Sequence, residues 1–170
     1  MDAIEMARLE QLERCVPDIW EYEKYLYIGA GEYRHHFFET MQQRALMVDV
    51  VESDAKNFGW LLSHDWLNGV VWRDVVEHFE DIKMEPQWDV VLWSHGPSCV
   101  EKEKAIKTIK YTGGSAKSIV VLMTPHGNAG GTGNISTWYP EDFEKLGYKT
   151  DCLGGRDERN SNLLAWKYIK

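Results

Sequence analysis

Two continuous apolar runs, at 88–93 and 119–123, constrain the fold of this chain more than any other feature. Neither run shows the strict apolar–polar alternation of a strand that faces water on one side. Strands that are apolar almost throughout are typical of a parallel sheet covered by helices on both faces. Because helix-like stripes separate the strand-like runs along the chain, the sequence predicts an α/β sheet.

The remaining elements follow from local patterns. Further strands are predicted at 24–29, 45–50, 70–72, 148–153 and 162–169, and helices at 2–16, around 37–41, 54–63, 100–114 and 140–147. The last two strands are joined only by residues 154–161. That connection is too short for a crossover helix, so we expect these two strands to pair antiparallel.

Composition narrows the class of protein. The 170 residues, 44% apolar and 27% charged, predict one globular domain over 1–170 without a linker. The net charge of −8 argues against a nucleic-acid or anionic membrane surface as partner. The three cysteines include no CxxC pair, which argues against a zinc knuckle or a disulfide framework. The amino-terminal segment carries charges of both signs, unlike a signal peptide, so we expect a cytoplasmic protein.

Glycines follow the first predicted strand. Gly29, Ala30 and Gly31 stand between that strand and a helix, where the backbone can approach a ligand because no Cβ intervenes. A plain tight turn explains the same residues. The third glycine of the dinucleotide fingerprint is absent, since Arg34 occupies its position, and this disfavours a nicotinamide oxidoreductase.

Acidic residues follow the next two strands. Asp49 is predicted at the tip of the second strand, where a carboxylate accepts hydrogen bonds from ribose hydroxyls. Glu52 and Asp54 are competing candidates, because strand ends are uncertain by about 2–4 residues. Asp74, with Val75, follows the third strand and is a candidate to bind an adenine amino group, or else is an ordinary loop carboxylate.

Histidines follow the fourth and fifth strands. His95, beside Ser94, and His126 are candidate general bases, since imidazole titrates near neutral pH. Capping a helix is the alternative for His95, and ordering the following loop is the alternative for His126. No metal site is predicted, because the pair His35–His36 lacks further ligands at suitable spacing.

The long glycine-rich loop over 125–139 ends in Trp138 and Tyr139. Loops of this length in a compact domain are commonly functional. It is predicted to close as a lid over a flat or sugar-like molecule, with an inert surface loop as the alternative.

From Lys24 to Lys170 the chain resembles the class I S-adenosylmethionine-dependent methyltransferases, of the small bacterial and phage type. The resemblance lies in the glycine turn, the acids after strands two and three, the run over 88–92, the Glu101–Glu103 run, and the segments 124–127 and 138–148. It implies a Rossmann-like sheet of seven mostly parallel strands, an antiparallel carboxyl-terminal strand beside the fifth, and helices on both faces.

The resemblance also implies an activity. It implies that Gly29, Ala30, Gly31, Asp49, Asp74, Val75 and Ser94 bind S-adenosylmethionine. It further implies methyl transfer to a small-molecule or glycan acceptor, with His95 and His126 as catalytic candidates and residues 1–23 as a helical lid on a core over 24–170. A catalytically silent nucleoside-binding or assembly domain on the same fold is the alternative. The oligomeric state is not readable from the sequence.

Overall fold

The computed structural model describes residues 3–29, 35–44, 46–81, 85–94, 96–127, 133–157 and 161–170, with only the backbone of His35. Its elements are α1 (Ala3–Cys15), β1 (Lys24–Ile28), α2 (His35–Gln43), β2 (Met47–Glu52), α3 (Ala55–Leu61), β3 (Gly69–Trp72), α4 (Val75–Asp81), β4 (Trp88–Ser94), α5 (Lys102–Ser115), β5 (Ala116–Pro125), α6 (Pro140–Glu144), β6 (Lys149–Cys152) and β7 (Asn162–Tyr168).

Within the described residues, seven strands form one sheet in the order β3-β2-β1-β4-β5-β7-β6. The pairs from β3 through β5 are parallel, whereas β7 runs antiparallel to both β5 and β6. This confirms the predicted seven-stranded Rossmann-like sheet, with its antiparallel last strand inserted beside the fifth.

Helices cover both faces of the sheet. Leu12 of α1, Phe37 of α2 and Leu61 of α3 are buried against one face. Phe79 of α4 and Ile109 of α5 are buried against the other, together with α6. Because β4 and β5 lie in the middle of the sheet and are covered on both sides, their side chains are apolar almost throughout, as the continuous runs predicted.

Two local predictions were wrong. β2 begins and ends two residues later than predicted, so that its last residue is Glu52 and not Val50. Helix α4 was not predicted at all, although Asp74 caps it by accepting hydrogen bonds from the backbone N–H groups of Val76 (2.8 Å) and Glu77 (3.2 Å).

The amino-terminal helix α1 is tied to distant parts of the fold. Gln11 is buried and donates to the Asp151 carboxylate at 2.8 Å, and it accepts a hydrogen bond from Asn162 at 2.7 Å. Arg14 forms an ion pair with the same Asp151. Whether residues 1–23 open and close as a lid stays a prediction. In the described part of the chain, every helix is too short or too polar to span a lipid bilayer.

Candidate functional site

A cleft of about 290 Å³ lies at the carboxyl ends of β1, β2, β3 and β4. The parallel strands bring residues that are far apart in sequence to this one edge. Its lining combines an apolar wall with polar groups: Ile28, Gly29, Val51, Glu52, Ser53, Asn57, Arg73, Asp74, Val75, Trp93, Ser94, Gly96, Cys99 and Val100. An apolar wall beside a few convergent polar groups is the common construction of a small-molecule site.

Gly29 turns the chain away from β1. Its φ of +68° lies in the left-handed region, and a Cβ at this position would stand 2.9 Å from the carbonyl oxygen of Ser94. Any other residue would therefore be strained and would crowd the end of β4. The backbone at the floor of the cleft is accordingly close-packed, while Ala30 and Gly31 lie outside the described residues.

The carboxylate at the tip of β2 belongs to Glu52. This side chain is only 5% exposed, lines the cleft, and accepts a hydrogen bond from the backbone N–H of Asp54 at 2.8 Å. The backbone of Glu52 is also fixed, because the backbone N–H of Arg73, the residue after β3, donates to the Glu52 carbonyl oxygen at 2.9 Å. Of the three acids predicted as candidates near the end of β2, Glu52 is thus the one that lines the cleft.

Asp49 lies elsewhere, which corrects its predicted place at the strand tip. It is the third residue of β2, and its carboxylate accepts hydrogen bonds from Trp88 Nε1 at 2.7 Å and Asn68 Nδ2 at 2.5 Å. Lys24 Nζ stands 4.0 Å away. Because Trp88 and Lys24 begin their strands, the Asp49 carboxylate faces the amino-terminal side of the sheet, away from the cleft.

Asp74 and Val75 line the cleft where β3 leads into α4. Oδ1 of Asp74 caps α4, so this carboxylate is held in a fixed orientation at the cleft rim. Burial lowers the pKa of His78 on the same helix, and the neighbouring Arg73 guanidinium lowers it further. Both causes favour the neutral form of the His78 imidazole.

Ser94 ends β4 and is buried against the cleft. Two residues later, Gly96 lies so close to the Trp93 indole that a Cβ would stand 1.2 Å from Trp93 Nε1. The turn after β4 therefore requires glycine. His95 lies outside the described residues, so its role as a base stays a prediction.

His126 follows β5 but does not line this cleft. Its side chain is 1% exposed, and its ring packs edge-to-face on Tyr139 with centroids 6.0 Å apart. It lines a neighbouring cavity of about 270 Å³ with Tyr139, Arg156 and Glu141 among others. The structure therefore places this candidate base on the β5 side of the same edge, and its role stays a prediction.

The two aromatic residues at the end of the long loop have different surroundings, since Tyr139 packs on His126 whereas Trp138 lies in the core. Trp138 is fully buried and stacks on Phe143 with ring centroids 4.8 Å apart. The prediction that Trp138 closes over a ligand was therefore wrong, because this indole belongs to the core. The loop is also tied to the segment after β4, since the backbone N–H groups of Ile135 and Ser136 both donate to the carbonyl oxygen of Ser98. Residues 128–132 lie outside the described residues.

Some lining residues were not singled out from the sequence. Asn57 lies in the first turn of α3, which begins where β2 ends, and Arg73 directly precedes Asp74. Both follow carboxyl ends of parallel strands, which was the signal that could have found them.

Among the described residues, no group of three or more His, Cys, Asp or Glu side chains is arranged to hold a metal ion.

Of the comparisons with known proteins, the one with solved structures identifies the fold. The sequence matches no protein-family model, and comparison with curated proteins found no significant match. Among solved structures, the N-methyltransferase NodS of Bradyrhizobium japonicum WM9 has a TM-score of 0.72 over 99% of this chain and 97% of its own, at 13% identity. A SAM-dependent methyltransferase from Archaeoglobus fulgidus has a TM-score of 0.70 over 96% and 94%, at 14% identity.

DhpI, in its complex with SAH, has a TM-score of 0.68 over 99% of this chain and 86% of its own, at 16% identity. Each of these likenesses covers at least 96% of this chain. The chain therefore has the Rossmann-like fold of the SAM-dependent methyltransferases.

Proposed function

We propose that this protein is a methyltransferase that binds S-adenosylmethionine in the cleft at the carboxyl edge of the sheet. The observation that carries the proposal is the position of Glu52, a nearly buried carboxylate at the tip of β2, in one cleft with Gly29 and Asp74. The fold supports the proposal, since three structural neighbours are named as methyltransferases or hold SAH.

The lining of the cleft fits the nucleoside part of the cofactor. Glu52 carries carboxylate oxygens suited to both hydroxyls of a ribose, because hydrogen bonds to an ionised acceptor are stronger than those to a neutral one. Val51 and Val75 offer apolar surface for a flat base, and Asp74 offers an acceptor for an exocyclic amino group. In this proposal Glu52 takes the ribose role that the sequence analysis gave to Asp49.

Gly29 and Ser94 form the part of the cleft between β1 and β4. Because Gly29 has no side chain, a ligand can approach the backbone closely at this point. We assign this part to the amino-acid end of the cofactor, together with Ala30 and Gly31 of the same sequence motif.

The cofactor supplies a methyl group that its sulfonium already activates, so the protein's task is to bind and orient the acceptor. His126, at the end of β5, and His95, after β4, are the candidates to remove a proton from an acceptor that carries one. His126 packs on Tyr139 beside Arg156 and Glu141 in the neighbouring polar cavity. We therefore propose that the acceptor approaches from the β5 side of the edge.

A neutral or cationic small molecule or glycan is the acceptor class that we favour. The chain has a net charge of −8, which disfavours a polyanionic acceptor. The cavity beside His126 is lined mainly by polar and charged side chains, which suits an acceptor with several hydroxyl or amino groups.

The test is acceptor-dependent formation of S-adenosylhomocysteine from S-adenosylmethionine, measured with panels of amines, phenols and glycans. We expect turnover with at least one class, and its loss in Glu52→Ala at subsaturating cofactor. Binding of the cofactor without turnover on any panel would favour the silent nucleoside-binding domain instead.

A further inference from the structure

Glu5 is a buried carboxylate on α1, outside the cleft. The side chain is 2% exposed, although a charged group on a surface helix is normally solvated. Its Oε1 accepts hydrogen bonds from the backbone N–H groups of His36 at 3.1 Å and Phe37 at 3.5 Å. These N–H groups belong to the first turn of α2, which has no intrahelical partners for them.

The helix that Glu5 caps directly follows the glycine turn of the proposed cofactor site. The turn is fixed at its other end, where the backbone N–H of Gly29 donates to Val51 O at 3.1 Å. Residues 30–34 therefore connect two fixed points, Gly29 at the end of β1 and the Glu5-capped start of α2. A shift of α2 at its first turn would move one of these points.

Glu5 can hold this point because α1 is itself anchored at its other end. Gln11 is hydrogen-bonded to Asp151 and Asn162 near the β6–β7 hairpin, which belongs to the opposite half of the sheet. Leu12 is fully buried against the same face as Phe37. α1 thus bridges the final hairpin and the helix that leaves the glycine turn.

The apolar wall of the cleft belongs to one face of the sheet, and α2 covers the other face. The cleft wall consists of Ile28, Val51 and Trp93, which belong to the face covered by α4 and α5. α2 covers the opposite face. If the amino-acid end of the cofactor lies at Gly29, as proposed, it lies where the chain leaves β1 for α2.

From this arrangement we infer that Glu5 is a positioning residue for the amino-acid end of the cofactor, acting through the start of α2. The inference rests on the proposed function. It predicts that the loss of Glu5 weakens binding of S-adenosylhomocysteine, which reaches past Gly29, but not of adenosine, which needs only the part of the cleft near Glu52 and Asp74.

The experiment measures dissociation constants for both ligands by calorimetry, at a temperature where every variant is folded. Glu5→Ala is expected to raise the constant for S-adenosylhomocysteine about tenfold, because the first turn of α2 loses the acceptor that holds it and the ligand must then order this turn on binding. Glu5→Gln is expected to raise it about threefold, because the amide keeps an acceptor but not the charge. Glu13→Ala is the control, because Glu13 is a carboxylate of the same helix that accepts a hydrogen bond from Trp20 Nε1 and not from α2, and it should leave both constants unchanged.

Three results would overturn the inference: equal affinities in wild type and both Glu5 variants, an equal loss of affinity for adenosine, or an equal effect of Glu13→Ala. If Glu5→Ala does not fold, Glu5→Gln decides, and a constant equal to that of wild type counts against the inference. Absence of S-adenosylhomocysteine binding by the wild-type protein would instead overturn the proposed function, so the two failures are distinguishable.

Discussion

Glu52 and Asp49 stand on one strand, yet their carboxylates face opposite ends of the sheet. We predict that Glu52→Ala raises the dissociation constant for S-adenosylhomocysteine at least tenfold. Each charge-assisted hydrogen bond that it removes is worth roughly 1.5–3 kcal/mol, and tenfold corresponds to about 1.4 kcal/mol. Calorimetric titration measures this constant directly.

Asp49→Ala is the matched control. It removes the acceptor of Trp88 Nε1 and Asn68 Nδ2, so it should lower the free energy of unfolding by about 1–3 kcal/mol and leave ligand affinity unchanged. If Asp49→Ala weakened binding and Glu52→Ala did not, our assignment of the ribose ligand would be wrong.

The sequence located the acid at the end of β2 only to within three residues, from Asp49 to Glu52. The predicted strand ended at Val50, which placed Asp49 at its tip, whereas β2 continues through Val51 to Glu52. The two valines after Asp49 are the signal for the later end, because β-branched residues favour strands. What the pattern could not show is that Trp88 and Asn68 stabilise an acid in the middle of β2, since both contacts are tertiary.

Gly96 gives a second prediction for a single residue. Gly96→Ala should lower the free energy of unfolding by about 1–3 kcal/mol, because its Cβ overlaps the buried Trp93 indole and the turn must move. Urea denaturation followed by tryptophan fluorescence measures the change.

The control for Gly96 is Gly113→Ala in α5, where an added Cβ meets nothing within 4 Å. Alanine favours a helix over glycine by about 1 kcal/mol, so this variant should be more stable than wild type. Equal effects of the two substitutions would contradict the packing described around Trp93.

At the scale of elements, α1 reaches Asp151 through one buried side chain, Gln11, and one exposed side chain, Arg14. Gln11→Ala removes a hydrogen-bond partner of the buried Asn162 amide and of the partly buried Asp151 carboxylate, and should cost about 1–3 kcal/mol of unfolding free energy. Arg14→Ala removes only an exposed ion pair with Asp151, whose value is at most about 1 kcal/mol. Chemical denaturation of both variants tests the difference, and a larger loss for Arg14→Ala would show that α1 is not anchored through Gln11.

Helices were less predictable than strands for a physical reason. α4 has only seven residues, so its apolar positions, Val75, Val76 and Phe79, complete little more than one helical period. Its clearest signal is the cap, Asp74, which the sequence analysis assigned to ligand binding. Conversely, α5 continues through Gly113 to Ser115, because neither of its last glycines adopts a positive φ.

At the scale of the whole molecule, the sheet was predictable because its two central strands are apolar almost throughout. That pattern requires cover on both faces, and the short connection over 154–161 requires an antiparallel final pair. The predicted topology is confirmed, since β7 lies between β5 and β6. The division of the edge into the cleft beside Glu52 and a cavity beside His126 arises only from packing, and so does the burial of Trp138 in the core.

The central claim is that this edge binds S-adenosylmethionine, and the most direct test is calorimetric titration of the wild-type protein with S-adenosylhomocysteine, with NAD as the comparison ligand. We predict one-to-one binding of S-adenosylhomocysteine and none of NAD. At a hundred times the dissociation constant, the ligand should also raise the free energy of unfolding by about 2.7 kcal/mol. No binding of S-adenosylhomocysteine at millimolar concentration, or equal binding of NAD, would contradict the claim.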